Sequence, residues 1–441
     1  FQAEEWETDR LLLFGDELDP PFGSMDAGKT GKDSDGYRSD KVQILLNHSW
    51  LDTASAADIG ALLDAWISAN LSARSSALPD ASEDERGDER SDLLPSDQEG
   101  SKEEDNSVSR SAISLELLAI ANGSGGFLIN GQKAGDNSGW SVAGVGDVNG
   151  DGLGDVLIGA PKAEPSNLIN DAGRSYVVFG KTGSASTTAV NLSAIANGIG
   201  GFVINGTNSQ DISGTSVAAA GDVNGDGLAD LLVGAPKSDP TSGMNAGRSY
   251  VVFGKTTTTA IQLSGIAAGN GGFVINGQSS NEQTGFSVSS AGDINGDGLA
   301  DLLIGAPYSD PATGVDVGKA YVIFGKSSHI TSIPPLSPIE LASLSASDGF
   351  AITGQANTQL TGLSVASAGD VNGDGFADLI IGGVNPNMLP FVEGYAYVVY
   401  GAPNLTSINL SSITSGVGGF RIKDRWNASI GTSLGISVAG A

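Results

Sequence analysis

Residues 285–307 read GFSVSSAGDINGDGLADLLIGAP. The ends of this stretch, Ser287-Val288-Ser289-Ser290-Ala291 and Leu302-Leu303-Ile304, have the short, apolar or small-residue character of strands. Its middle is a glycine-punctuated acidic bend. The same order recurs along the chain. A Ser-Val step appears at Ser141, Ser216, Ser287, Ser364 and Ser437. DVNGDGLGD, DVNGDGLAD, DINGDGLAD and DVNGDGFAD begin at Asp147, Asp222, Asp293 and Asp370. The first three continue into Gly-Ala-Pro (159–161, 234–236, 305–307). A Gly-Phe step precedes each unit at Phe127, Phe202, Phe273, Phe350 and Phe420, and YVVFG-like runs follow at Tyr176, Tyr250, Tyr321 and Tyr397.

Self-similarity at a fixed period indicates stacked, like supersecondary units. We divide residues 113–441 into units at about 113–181, 182–255, 256–326 and 327–402, with a partial fifth at 403–441. Runs such as Tyr321-Val322-Ile323-Phe324 are apolar on consecutive residues, so both faces of those strands require cover. About four strands per unit, each sheet sandwiched between neighbours, is the arrangement of propeller blades. A β-solenoid would use shorter units. The expected class is therefore all-β, a β-propeller.

The acidic bend has the oxygen-rich pattern of a hard-cation site. Calcium takes six to eight oxygens from carboxylates, amides and backbone carbonyls. In the first copy the candidates are Asp147, Asn149, Asp151, the carbonyl of Leu153, and Asp155. The matching sets are Asp222, Asn224, Asp226, Leu228, Asp230; Asp293, Asn295, Asp297, Leu299, Asp301; and Asp370, Asn372, Asp374, Phe376, Asp378. An EF-hand shares the first six positions but needs glutamate at the twelfth. Here the twelfth is Ile158, Val233, Ile304 or Ile381, each inside an apolar run, so the ligands end at position nine. Asn-Gly and Asp-Gly turns alone would explain the glycines but not three aspartates spaced identically in four copies. We expect about one Ca²⁺ per complete repeat, four in all. Magnesium prefers water-rich octahedral shells. Zinc prefers histidine or cysteine, and the chain has no cysteine and only His48 and His329, both outside the bends.

These motifs together resemble the FG-GAP repeat of integrin α-subunit propellers and related bacterial surface proteins, over about residues 113–441. The resemblance implies a seven-bladed propeller, calcium in loops on one face, and adhesion or ligand binding through the other. It also includes propellers attached to hydrolases. Two features depart from it. The fourth unit has Gly382-Gly383-Val384 where Gly-Ala-Pro is expected, and a proline-rich insertion lies around Pro334–Pro338. The fifth unit stops at GISVAGA, and the chain opens at Phe1 without a methionine or signal pattern. We therefore expect a piece of a longer protein, or a propeller completed by other chains.

Composition sets the outer limits of function. The chain has 441 residues, 64 of them glycine, and 51 acids against 22 bases give a net charge of −29. Such a field repels phosphate backbones and anionic membranes, which argues against nucleic acid, and no apolar run is long enough to span a bilayer. Residues 1–74 carry one helix-spaced set near 55–71 (Ile59, Leu62, Leu63, Trp66, Ile67, Leu71), and 75–112 have the composition of an acidic disordered linker. The N-terminal segment is thus expected to be mostly disordered or partly helical. Arg174/Lys181, Arg248/Lys255 and Lys319/Lys326 flank the last strand of three units and read as solvated edge charges. No nucleophile–base constellation appears. The expected protein is a non-catalytic, calcium-stabilised binding or adhesion module, extracellular or at the cell surface, with a protein or glycan ligand at the propeller rim. The alternatives are a self-assembling surface or filament protein (a homo-oligomer), or an accessory to a hydrolase lying elsewhere.

Overall fold

In a computed structural model of the chain, the described residues are 12–15, 42–45 and 120–440, excepting 122, 124, 167–168, 183–187, 313, 327–335, 386–392 and 424–433. The helix expected near 55–71 and the acidic linker lie outside them. Contacts divide the chain into Phe1–Leu118 and Ala119–Ala441. In the first unit, Leu12–Gly15 pairs antiparallel with Val42–Leu45, a pairing that no motif in the first 50 residues announces.

The described part of the second unit is built from four successive sheets with antiparallel centres, beside a parallel pair of Ile129–Asn130 with Val190–Asn191. The first blade runs from the inner strand Ser141–Gly146 through Asp155–Ala160 and Arg174–Val178 to the outer strand Gly201–Asn205. The second repeats this with Ser216–Gly221, Asp230–Ala235, Arg248–Val252 and Gly272–Asn276. The third uses Ser287–Gly292, Asp301–Ala306, Lys319–Ile323 and Gly349–Thr353, and the fourth Ser364–Gly369, Asp378–Asn385, Glu393–Val399 and Gly419–Lys423. The fold is all-β, made of propeller blades. Each outer strand is the Gly-Phe strand of the following sequence unit, so units that begin at Gly-Phe straddle two sheets. Short connector strands at Ile261–Gln262, Ile339–Glu340 and Ile408–Asn409 add in parallel to the outer edges of the first three blades.

The apolar runs divide between two faces, as alternation along a strand requires. Leu157, Val177 and Phe202 join Leu231, Val233 and Tyr250 in one core between the first and second blades. Their chain neighbours Ile158, Tyr176 and Val178 face the other way, onto the short helix Leu192–Ala196. The same division builds cores between the second and third blades and between the third and fourth. Next to the axis, the serines of the first four Ser-Val steps each accept the N–H of the valine one step further along. Ser141 Oγ takes Val217 N at 3.0 Å, and Ser216, Ser287 and Ser364 repeat this with Val288, Val365 and Val438. Small side chains on these strands allow that approach.

Candidate functional site

Every acidic bend joins an inner strand to the second strand of its blade, and all four fold alike. In the first, Asp147 Oδ1 accepts the N–H groups of Gly150 (2.7 Å) and Asp151 (3.1 Å), and Oδ2 accepts that of Gly152 (2.7 Å). Asn149 Oδ1 accepts Asp151 N at 2.8 Å while its Nδ2 donates to Asp151 Oδ2 at 3.0 Å. Asp151 Oδ1 accepts Leu153 N at 2.9 Å. The bonds recur, within a few tenths of an ångström, around Asp222, Asp293 and Asp370. Gly150 and Gly152 have φ of 80° and 83°, a region open to glycine at no steric cost. These glycines turn the chain so that its N–H groups converge on the first aspartate.

Asp155 is placed differently. A register shift at Gly144/Gly146 opens the ladder, and the carboxylate turns inward. Its Oδ2 accepts Val148 N at 2.9 Å and its Oδ1 accepts Gly180 N at 2.8 Å. It thereby ties the bend to the end of the blade's third strand. Asp230, Asp301 and Asp378 do the same. Burial pushes Asp230 and Asp301 up to about 7, against the opposing pull of the two N–H donors, and repulsion from the loop's other aspartates adds to the rise. Asp155 is raised for the same reasons. Asp147 is held below the usual carboxylate range, chiefly by Gly152 N–H.

The structure thus brings Asp147, Asn149 and Asp151 onto one hub and seats Asp155 behind it; Leu153 is half-buried. Among the described residues, no three His, Cys, Asp or Glu side chains form a metal cage by themselves, because the carboxylates are turned onto loop N–H groups. The donor chemistry nevertheless suits a hard cation. Each sp² oxygen can accept two bonds, so Asp147 Oδ2, Asn149 Oδ1, and both oxygens of Asp151 and Asp155 each keep an unused acceptor position. Neither described ion pair, Lys133–Glu164 or Lys326–Asp348, involves a loop carboxylate.

Four segments of the chain, residues 138–178, 213–252, 284–323 and 361–387, match the family described as FG-GAP repeat. The chain is an FG-GAP repeat protein. It is similar to integrin alpha-PS2 of Drosophila melanogaster, with 30% identity over 232 residues, covering 49% of this chain and 15% of that protein. It is 28% identical to integrin alpha-V of Gallus gallus over 249 residues, 55% of this chain and 20% of that one. It is 30% identical to the phosphatidylinositol-glycan-specific phospholipase D of Bos taurus over 191 residues, 43% and 21% of the two chains. The FG-GAP chain therefore spans about a fifth or less of the length of these relatives.

At the opposite end of each blade lies a set of residues that sequence reasoning missed. Asp136, Asp211, Glu282 and Gln359 occupy equivalent, buried positions just before the inner strand. Asp211 accepts Asn208 N and Nδ2. Glu282 is bonded to Gln278 N, Ser279 Oγ, Thr284 Oγ1 and Ser309 Oγ, and Gln359 Nε2 donates to Tyr397 Oη at 2.7 Å. Arg174, Arg248 and Lys319 stand nearby. They are not solvated edge charges. Arg174 donates to Asn205, Gln132 and the Pro165 carbonyl, Arg248 to Asn276, and Lys319 to Gln278. The second members of these pairs are also engaged: Lys181 and Lys255 lie over the rings of Phe127 and Phe202, and Lys326 pairs with Asp348. An internal signal existed. Where the buried residue is acidic, the third strand begins with a base; where it is Gln359, the matching position is Tyr395.

Proposed function

We propose that this FG-GAP protein is a calcium-stabilised, non-catalytic binding or adhesion module that works outside the cell. One observation carries the reading: four copies of a loop with unspent oxygen acceptors and no basic partner. Asp147, Asn149, Asp151, the Leu153 carbonyl and Asp155, with their counterparts, would hold the ion. Calcium supplies charge neutralisation there and no reaction step. Binding to the folded loops alone converts binding energy into folding stability. Extracellular calcium modules work at roughly 10⁻⁴–10⁻³ M, so loops of that affinity would fill outside the cell. The relatives named as integrins support an adhesive role with a protein ligand. The relative named as a phospholipase D would correspond to a propeller beside a catalytic domain, not to catalysis by these blades.

The test is a thermal melt in millimolar calcium and in chelator. A rise of several degrees in the midpoint with calcium is expected; an unchanged midpoint would overturn the metal role. A second reading, assembly through blade faces, has its own observation. Val142 on the first inner strand is 63% exposed, whereas its counterparts Val217, Val288 and Val365 are 5% exposed beneath the preceding blade. Molecular mass in solution across a concentration series decides it: a constant monomer mass removes this second reading.

A further inference from the structure

The acidic loops touch one another. Ala229, between Asp226 and Asp230 of the second loop, donates its N–H to the carbonyl of Asp147 in the first at 3.0 Å, and Lys255 N donates to the neighbouring Val148 carbonyl at 2.8 Å. Ala377 of the fourth loop donates to the Asp293 carbonyl of the third at 3.1 Å, and Ala402 to Ile294 at 3.1 Å. Lys326 N reaches the Val223 carbonyl of the second loop at 3.2 Å. Side chains follow the same course. Leu228 lies over Gly150, where a β-carbon would meet its Cδ2 at 3.2 Å. Phe376 covers Gly296 so closely that a β-carbon there would lie 2.6 Å from its ring, and Ala377 crowds Gly292 at the same distance.

In the first–second and third–fourth contacts the residues that meet are interior to a donor set, whereas the second and third loops are joined through Lys326 and through Ala300 against Gly221. Leu228 and Phe376 are themselves the carbonyl positions proposed for calcium, and Asp147 and Asp293 are the first ligands of the loops they touch. The second and fourth loops, held in shape, therefore hold the first residue of the loop before them, and the third holds the residues on either side of Asp222. We propose that the four loops form one coupled array, in which filling one loop raises the calcium affinity of its neighbours. Coupling through a shared element is reciprocal, and in a linear array it acts between nearest neighbours. This rests on the calcium reading above and adds the regulation of those same sites.

Calcium titration of the full chain by calorimetry tests it, with amide hydrogen exchange as the second readout. Uptake steeper than four independent sites is expected. Ala377→Gly lies outside the donor set and removes the methyl that crowds Gly292, so it should keep four ions per chain but flatten the curve. Asp374→Asn, in the fourth loop, should speed exchange at Gly296 and Gly298, whose N–H groups are bound to Asp293, and should weaken calcium in the third loop about 5-fold or more. Independent, equal sites in the unmodified chain, or unchanged exchange at Gly296 and Gly298 in Asp374→Asn, would overturn the coupling while leaving the calcium role intact. No calcium uptake would overturn both.

Discussion

The two ends of each blade place carboxylates against their neighbours in opposite ways. At the acidic-loop end the four loops share one design, with carboxylates bonded to backbone N–H groups and outside the described ion pairs, while the nearby Lys181, Lys255 and Lys326 side chains go to Phe127, Phe202 and Asp348. At the other end the buried acid changes from Asp136 and Asp211 to Glu282 and then to neutral Gln359, and the facing residue changes with it from Arg174 and Arg248 to Lys319 and Tyr395. A matched set is electrostatically closed and can drift as a pair. An unmatched set cannot drift without changing what it attracts. The difference between invariance and paired substitution separates a set whose acceptors stay open from one closed by its own partners.

The largest effect is expected at Asp301, which is fully buried and holds Ile294 N and Gly325 N. Asp301→Ala orphans two buried donors and opens a cavity. It should cost about 3–5 kcal/mol, measured by urea unfolding in saturating calcium. Next comes charge matching. Gln359→Glu buries an acid whose matching third-strand position is Tyr395 rather than a base, and should cost about 2–3 kcal/mol. Adding Tyr395→Lys should recover part of that loss, which a double-mutant cycle would read; additive losses would end the matching argument.

A smaller effect concerns pH. Burial raises Asp211 above its ordinary value, against Asn208 hydrogen bonds that lower it. A raised folded-state value means the folded chain keeps a proton that the unfolded chain has released. Stability from this group is therefore fully present below about pH 4 and is lost as pH rises through its folded value. Asp211→Asn should flatten that part of the fall in midpoint with pH, seen in melts across the acidic range. The smallest effect belongs to Ser249, whose buried hydroxyl finds no partner and whose counterparts in the third and fourth blades are Ala320 and Ala396. Ser249→Ala should be neutral or stabilising by about 1 kcal/mol at most.

The loops were legible in the sequence because their bonds are local. Asp147 reaches Gly150, Asp151 and Gly152, no more than five residues away, so residue type and spacing contain the conformation. Strand class was legible for a similar reason: consecutive apolar residues at Leu302–Ile304 require two covered faces wherever the strand is placed. The framing of the blades was not. Val177 pairs with Phe202, a choice between sheets that no local pattern records. The setting of Arg174 was hidden too, since its partners Gln132 and Asn205 lie 42 and 31 residues away.

By itself, then, the amino-acid order determined that this chain repeats, that its repeats are strands and oxygen-rich bends, and that each bend carries more negative charge than its own residues neutralise. Only the tertiary structure decided which strand closes which sheet, which charges are buried, and that one bend rests on the next. The reason is range. Turn geometry and face alternation are settled within a few residues, whereas burial and neighbour contacts exist only once separate units have packed.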